Sequence, residues 1–147
     1  MNSFEQSAFE LEGLFLNNRK NAIDHMGRGG KGELFILNFL CGKDYPVLPS
    51  KISDAMRISS SRVSAALGAL EKKGQIAREI DRKNRRNILV TITDAGRERS
   101  RSNTLLMRNM MTGVLTEMGE ADSAEFVRLT KRFFEISAKI FGNETPR

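Results

Sequence analysis

A chain of 147 residues with a net charge of +6 is about the size of one domain and long enough for one apolar core. Its single cysteine, Cys41, excludes an intrachain disulfide, and no apolar run approaches the roughly 18 residues of a membrane span. The start shows no basic stretch followed by an apolar core, so the expectation is a cytoplasmic protein in a reducing compartment.

In chain order, residues from about Ser3 to His25 read as a helix. Phe4, Ala8, Leu11, Phe15 and Ala22 lie near one face, and Phe9, Leu14 and Leu16 widen it. Gly27 to Gly32 reads as a flexible break. A second helix is expected over Glu33–Cys41, with Gly42 as its stop. The prolines force Tyr45 to Pro49 to be extended. A short helix follows, with Ser50 as candidate N-cap and Ile52, Ala55 and Met56 facing inward. The next helix starts within Ser59-Ser60-Ser61, one of which is its N-cap. Val63, Ala66, Leu67 and Leu70 form its buried edge, and Gly74 ends it. Ile76, Arg78 and Ile80, then Ile88, Val90 and Ile92, alternate at the period of two expected of strands. Thr93 is placed as the N-cap of a long helix to about Met118, and Glu120 to Phe141 is the last helix, after a break at Gly119.

Charge is concentrated in the middle of this plan. Between Lys72 and Arg86 lie seven basic residues and two acids, so fifteen residues carry +5 of the total +6. A solvated turn has no need of such concentration, whereas a polyanion-binding surface does. The helix before the ribbon has a complementary outer face. With Val63 central to the buried side, Ser61, Ala65, Gly68 and Lys72 point outward, flanked by Arg62 and Ser64. Small residues permit close backbone approach, hydroxyls bond phosphates or base edges, and Arg pairs bidentately with guanine. Gly68 in mid-helix costs roughly 1 kcal/mol relative to Ala, so it is assigned to close approach or packing.

The short helix, a turn at Arg57-Ile58 and the serine-fronted helix make a helix-turn-helix, and the ribbon adds a wing. The fold class is therefore mainly α (α+β), a winged helix-turn-helix between terminal helices. Candidate DNA-contacting residues are Ser50, Lys51, Ser60, Ser61, Arg62, Ser64 and Ala65 on the helices, with Arg82, Lys83, Asn84, Arg85 and Arg86 on the wing.

These residues also carry a resemblance. Leu70-Glu71-Lys72-Lys73-Gly74, a strand, Asp81 with Asn84-Arg85-Arg86, a second strand, and Ile92-Thr93-Asp94-Ala95-Gly96 together resemble the MarR family of bacterial transcriptional regulators. The resemblance extends over nearly the whole chain and is sharpest over residues 59–96. It implies a homodimer with interlocking terminal helices and a pseudo-palindromic operator. It places Ser60, Ser61, Arg62, Ser64 and Ala65 on the recognition helix and Lys83 to Arg86 on the wing. One departure is Asn84, where the family has an Asp that bonds the arginine matching Arg86. Either Arg86 is freer for DNA, or Asp81 replaces the missing carboxylate.

Residues 1–30 are thus expected as a dimerisation helix and Gly-rich connection, 31–92 as the DNA-binding lobe, and 93–147 as helices completing one intertwined dimerisation region. Leu105, Leu106, Met107, Met110, Met111, Val114, Leu115 and Met118 cover too wide an arc for a lone surface helix. A second copy is the economical cover; a monomeric helical core is the alternative. The methionines read as adaptable core, and Cys41 as a buried, inert thiol.

Other chemistry is thin. The Gly27–Gly32 run follows a helix, not the strand a phosphate loop requires. The single His25 has no metal-ligating company, so neither metal, cofactor nor enzymatic activity is expected. The family resemblance implies a cleft for a small aromatic or anionic effector, with His25, Met26, Arg28 and Tyr45 as candidate contacts; response without a ligand is the alternative. The leading function is a dimeric, sequence-specific DNA-binding regulator, a repressor rather than an activator. The competing function is a winged helix that binds RNA or an acidic protein.

Overall fold

The computed structural model describes residues 2–25 and 31–142, with side chains described for 2–16 and 32–142. The elements follow the expected order. They are α1 (Ser3–His25), α2 (Lys31–Cys41), α3 (Pro49–Met56), α4 (Ser60–Lys72), β1 (Ile76–Ile80), β2 (Ile88–Ile92), α5 (Asp94–Met118) and α6 (Glu120–Phe141). Gly27 to Gly30 lie outside the described residues, whereas Lys31 and Gly32 belong to α2. No helix among the described residues is long and apolar enough to cross a membrane.

Contacts divide the chain into two units, Met1–Arg101 and Ser102–Arg147. In the first, Ile36, Leu37 and Leu40 of α2, Ile52 of α3, and Val63, Leu67 and Leu70 of α4 close on Ile76 and Val90 of the ribbon. Helical spacing supplies the first seven and strand alternation the last two. Strands β1 and β2 are antiparallel, with Ile76 opposite Ile92 and Ile80 opposite Ile88. Val47 adds an isolated antiparallel rung to β2, exchanging two backbone hydrogen bonds with Val90 at 2.9 and 2.8 Å. The proline-enforced extension around Val47 therefore docks the α2–α3 connection on the sheet.

Helix termini explain several boundaries. Asn2 and Glu5 form a capping box on α1: the Asn2 side chain accepts from the Phe4 and Glu5 amides, and Glu5 accepts from the Asn2 amide at 2.7 Å. For α3 the expectation fails. Its N-cap is Leu48, whose side chain has no acceptor to offer; Pro49, with its φ already set for a helix, opens the first turn, and Ser50 lies inside the helix. Ala55 is exposed rather than inward. The α3–α4 turn puts Arg57 in the left-handed region at φ 53°, with the Ser53 hydroxyl donating to the Ile58 carbonyl at 2.6 Å. Ser59 is the N-cap of α4, and Gly74 turns the chain beyond it at φ 67°.

Thr93 caps α5 by accepting from the Gly96 amide, while its hydroxyl donates to the Gly74 carbonyl at 2.6 Å. Gly96 is buried against the α4–β1 connection: a Cβ there would lie 2.1 Å from the Gln75 carbonyl oxygen. A charged clasp holds the same corner. The buried Glu33 carboxylate accepts from Lys73 and Arg99 at 2.7 Å each, and Arg99 also donates to Gln75 at 2.6 Å. Burial works against the charge on Glu33. The hydrogen bonds and positive charges of Lys73 and Arg99 together outweigh it and hold the carboxyl below its ordinary range.

In the second unit, α5 turns into α6 at Gly119, whose φ of 85° suits glycine, and the Ser123 hydroxyl donates back to the Leu115 carbonyl at 2.6 Å. No residue of α6 is buried. Phe126, Leu129, Phe133, Ile136 and Ile140 are exposed, as are Leu105, Leu106, Met110, Met111, Val114 and Met118 of α5. Helix α1, in the first unit, likewise exposes Phe4, Phe9, Leu14 and Phe15. Of the methionines of α5, Met107 is half-buried and Met110, Met111 and Met118 are exposed. Cys41 is half-buried rather than buried, since it ends α2 beyond the last core residue, Leu40.

Candidate nucleic-acid interface

The sequence leaves the three serines of α4 ambiguous between capping and binding, and the structure separates them. Ser59 accepts from the Arg62 amide at 3.4 Å and shares a 3.1 Å hydrogen bond with the Ser61 hydroxyl. Among the described residues, Ser60 and Ser64 make no side-chain hydrogen bond and Arg62 no ion pair. Ser60, Ser61, Arg62, Ser64 and Ala65 are all exposed on α4. A Cβ at Gly68 would meet nothing within 4 Å, so packing within the chain does not explain that glycine. Ser50 and Lys51 are exposed in the first turn of α3.

The wing tip is ordered by its two short polar side chains. Asp81 accepts from the Lys83 amide at 2.9 Å and Asn84 from the Arg86 amide at 3.2 Å, two successive Asx turns. The backbone closes beneath them, the Asp81 amide donating to Asn87 at 3.0 Å and the Asn87 amide to Asn84 at 2.8 Å. Asn84 therefore holds the main chain of Arg86, not its guanidinium, and Asp81 does not replace the missing carboxylate. The family's internal salt bridge is absent among the described residues. Arg82, Lys83, Asn84, Arg85 and Arg86 are all exposed, and the four cations have no ion-pair partner there.

The cationic stretch is less uniform than its composition suggests. Lys73 is held by Glu33, and Arg78 is paired with Glu71 across the α4–β1 turn. The hydrogen bond from Arg78 holds the Glu71 carboxyl below its ordinary range. Five cations have no ion-pair partner among the described residues: Lys72 at the end of α4, and the four at the tip. Lys72 was not among the candidates, although its outward position on α4 marks it. No local signal announces Glu33, Gln75 and Arg99, whose contacts span 24 to 66 positions.

Of the candidate effector contacts, Met26 and Arg28 lie outside the described residues, and the side chain of His25, the last residue of α1, is not described. Tyr45 is exposed and lines a cavity of about 250 Å³ with Lys43, Pro46, Ile92 and Arg97. Among the described residues no group of three or more His, Cys, Asp or Glu side chains could hold a metal ion.

Residues 33–111, just over half of the chain, match the family described as the winged helix DNA-binding domain. Several solved structures share the fold. YusO from Bacillus subtilis is 22% identical, with 92% of this chain and 99% of that one covered at a TM-score of 0.74. FabT from Streptococcus pneumoniae, solved in complex with DNA, is 20% identical, with 94% and 99% covered at 0.68. MarR itself is 18% identical, with 91% and 95% covered at 0.71. The resemblance to the MarR family is met here in the fold. No curated protein sequence matches the chain.

Proposed function

The chain belongs to the winged helix DNA-binding domain family, and from that premise we propose that it is a homodimeric, sequence-specific transcriptional regulator, a repressor acting at a pseudo-palindromic operator. The observation that carries this reading is the division of labour on α4. Ser59 alone caps the helix, and Ser60, Arg62 and Ser64 are left with uncommitted polar groups on a face of small residues. Those groups suit base edges and phosphates in a major groove, and the unpaired cations of the wing suit the flanking backbone. The exposed apolar faces of α1, α5 and α6 support a second copy as their cover, which would pair two such lobes on one duplex. The family is defined by DNA binding rather than catalysis, in line with the absence of a catalytic constellation from the sequence. Tyr45, with Lys43 and Arg97 beside it, supports release by a small aromatic anion.

Selection of bound duplexes from a random pool tests the proposal. Recovery of a two-fold symmetric sequence with half-sites about one helical turn apart is expected. Equal retention of random duplex and structured RNA would favour the competing reading. On the selected site, Arg62→Ala should relax base preference more than it weakens non-specific binding. Lys83→Ala should flatten the dependence of log affinity on log salt by up to about 0.9.

A further inference from the structure

The ribbon carries an apolar feature that the basic tip overshadows. Its ladder alternates faces, so Ile76, Arg78 and Ile80 share one side with Val90, Ile92 and Ile88. On that side Ile76 is 3% and Val90 0% exposed, sealed in the core. At the outer end the same face runs past the core: Ile80 is 65% exposed and its cross-strand partner Ile88 45%. Two isoleucines therefore stand side by side in solvent, each two positions from the nearest tip cation, Arg82 for Ile80 and Arg86 for Ile88.

We propose that the Ile80–Ile88 pair is an apolar contact for the deoxyribose wall of a DNA minor groove, giving the wing a share of affinity that salt does not screen. The proposal rests on the reading that the wing meets duplex DNA. Charge complementarity selects the occupant. Whatever covers these isoleucines must bring negative charge to four unpaired cations just beyond them. A second copy of the ribbon would bring the same cations and be repelled. A minor groove offers phosphates along both rims and non-polar sugar C–H groups between them, and apolar side chains enter such grooves in other proteins. Threonine at both sites would keep the β-branched shape the strand favours, so strand formation does not by itself require isoleucine.

The test is the double variant Ile80→Thr with Ile88→Thr, titrated against the selected duplex over a range of salt beside wild type and Lys83→Ala. The double variant should lose about 5- to 20-fold in affinity with an unchanged salt slope and an unchanged melting temperature. Lys83→Ala should flatten the slope instead. Unchanged affinity overturns the proposal, as does a loss that comes with an altered slope or with a shift in oligomeric state. If the double variant melts early, Ile80→Thr alone carries the same expectation, since Ile80 is the more exposed. Failure of Lys83→Ala to alter the slope, or of wild type to bind, would remove the wing-to-duplex reading and this proposal with it; an inert isoleucine pair beside a normal Lys83 response would remove this proposal alone.

Discussion

Ten apolar side chains of the lobe from α2 to β2 close on one another with almost no exposure, whereas α6 repeats apolar residues at the same helical spacing and buries none of them. The two regions have similar patterns and opposite outcomes. Periodicity states which face of a helix is apolar; it does not state what covers that face. In the lobe, helices, ribbon and the Val47 rung supply the cover from within the chain. In the helical unit the proposed second copy supplies it.

The comparison breaks most sharply at glycines. Gly96→Ala drives a Cβ into the Gln75 carbonyl and the Ile92 side chain, and should cost the lobe about 3 kcal/mol in denaturant unfolding. A cost near zero would mean that the α5 start is not clamped to the lobe. Next in size is the apolar face of α6. Phe133→Glu with Ile136→Glu should weaken self-association roughly 100-fold, about 3 kcal/mol, by sedimentation. A wild type already monomeric at micromolar concentration would remove the proposed cover.

A smaller effect belongs to the clasp. The carboxyl of Glu33 is held below its ordinary range when folded, so its stabilisation is present above the unfolded value of about 4.3 and fades as pH falls through the lower folded value. Glu33→Gln should therefore cost about 1–2 kcal/mol near neutrality, modest because Lys73 is half-exposed, and the gap from wild type should narrow in acid. A gap independent of pH would mean that the charge on Glu33 is not what holds the corner. Smallest is Gly113→Ala in α5, where a Cβ meets nothing within 4 Å. Better helix propensity should raise stability by up to about 1 kcal/mol. A loss like that at Gly96 would locate the contact with the second copy at Gly113.

Much of the fold was legible because its signals are local. The ribbon, the serine start of α4, the Gly74 turn, the Thr93 cap and the Gly119 break all depend on residues within a few positions of one another. What escaped notice depends on long separations or on competition between local rules. Two of the seven basic residues around the ribbon are engaged: Lys73 by a glutamate 40 positions earlier, and Arg78 across a turn. Ser50 has the right side chain for a cap, but Pro49 starts the helix one residue earlier and leaves the cap position to Leu48. Ala55 belonged to an apolar pattern too short, at eight residues, to fix a face. Asn84 raised a question about side-chain pairing, whereas its oxygen engages the main chain. At the interface, residue types located the helix and wing, but the uncommitted state of Ser60, Arg62 and Ser64 needed the hydrogen-bond pattern.

That wing tip keeps form and positive charge on separate side chains. Two short polar side chains, Asp81 and Asn84, shape the loop through main-chain amides, and none of the four basic side chains takes part. Those basic side chains can therefore be replaced without unfolding the hairpin, so their number can set the affinity for a polyanion while the loop keeps its form. Substitution at 82, 83, 85 or 86 should spare the form of the loop, whereas loss of the side-chain oxygen at 81 or 84 should not.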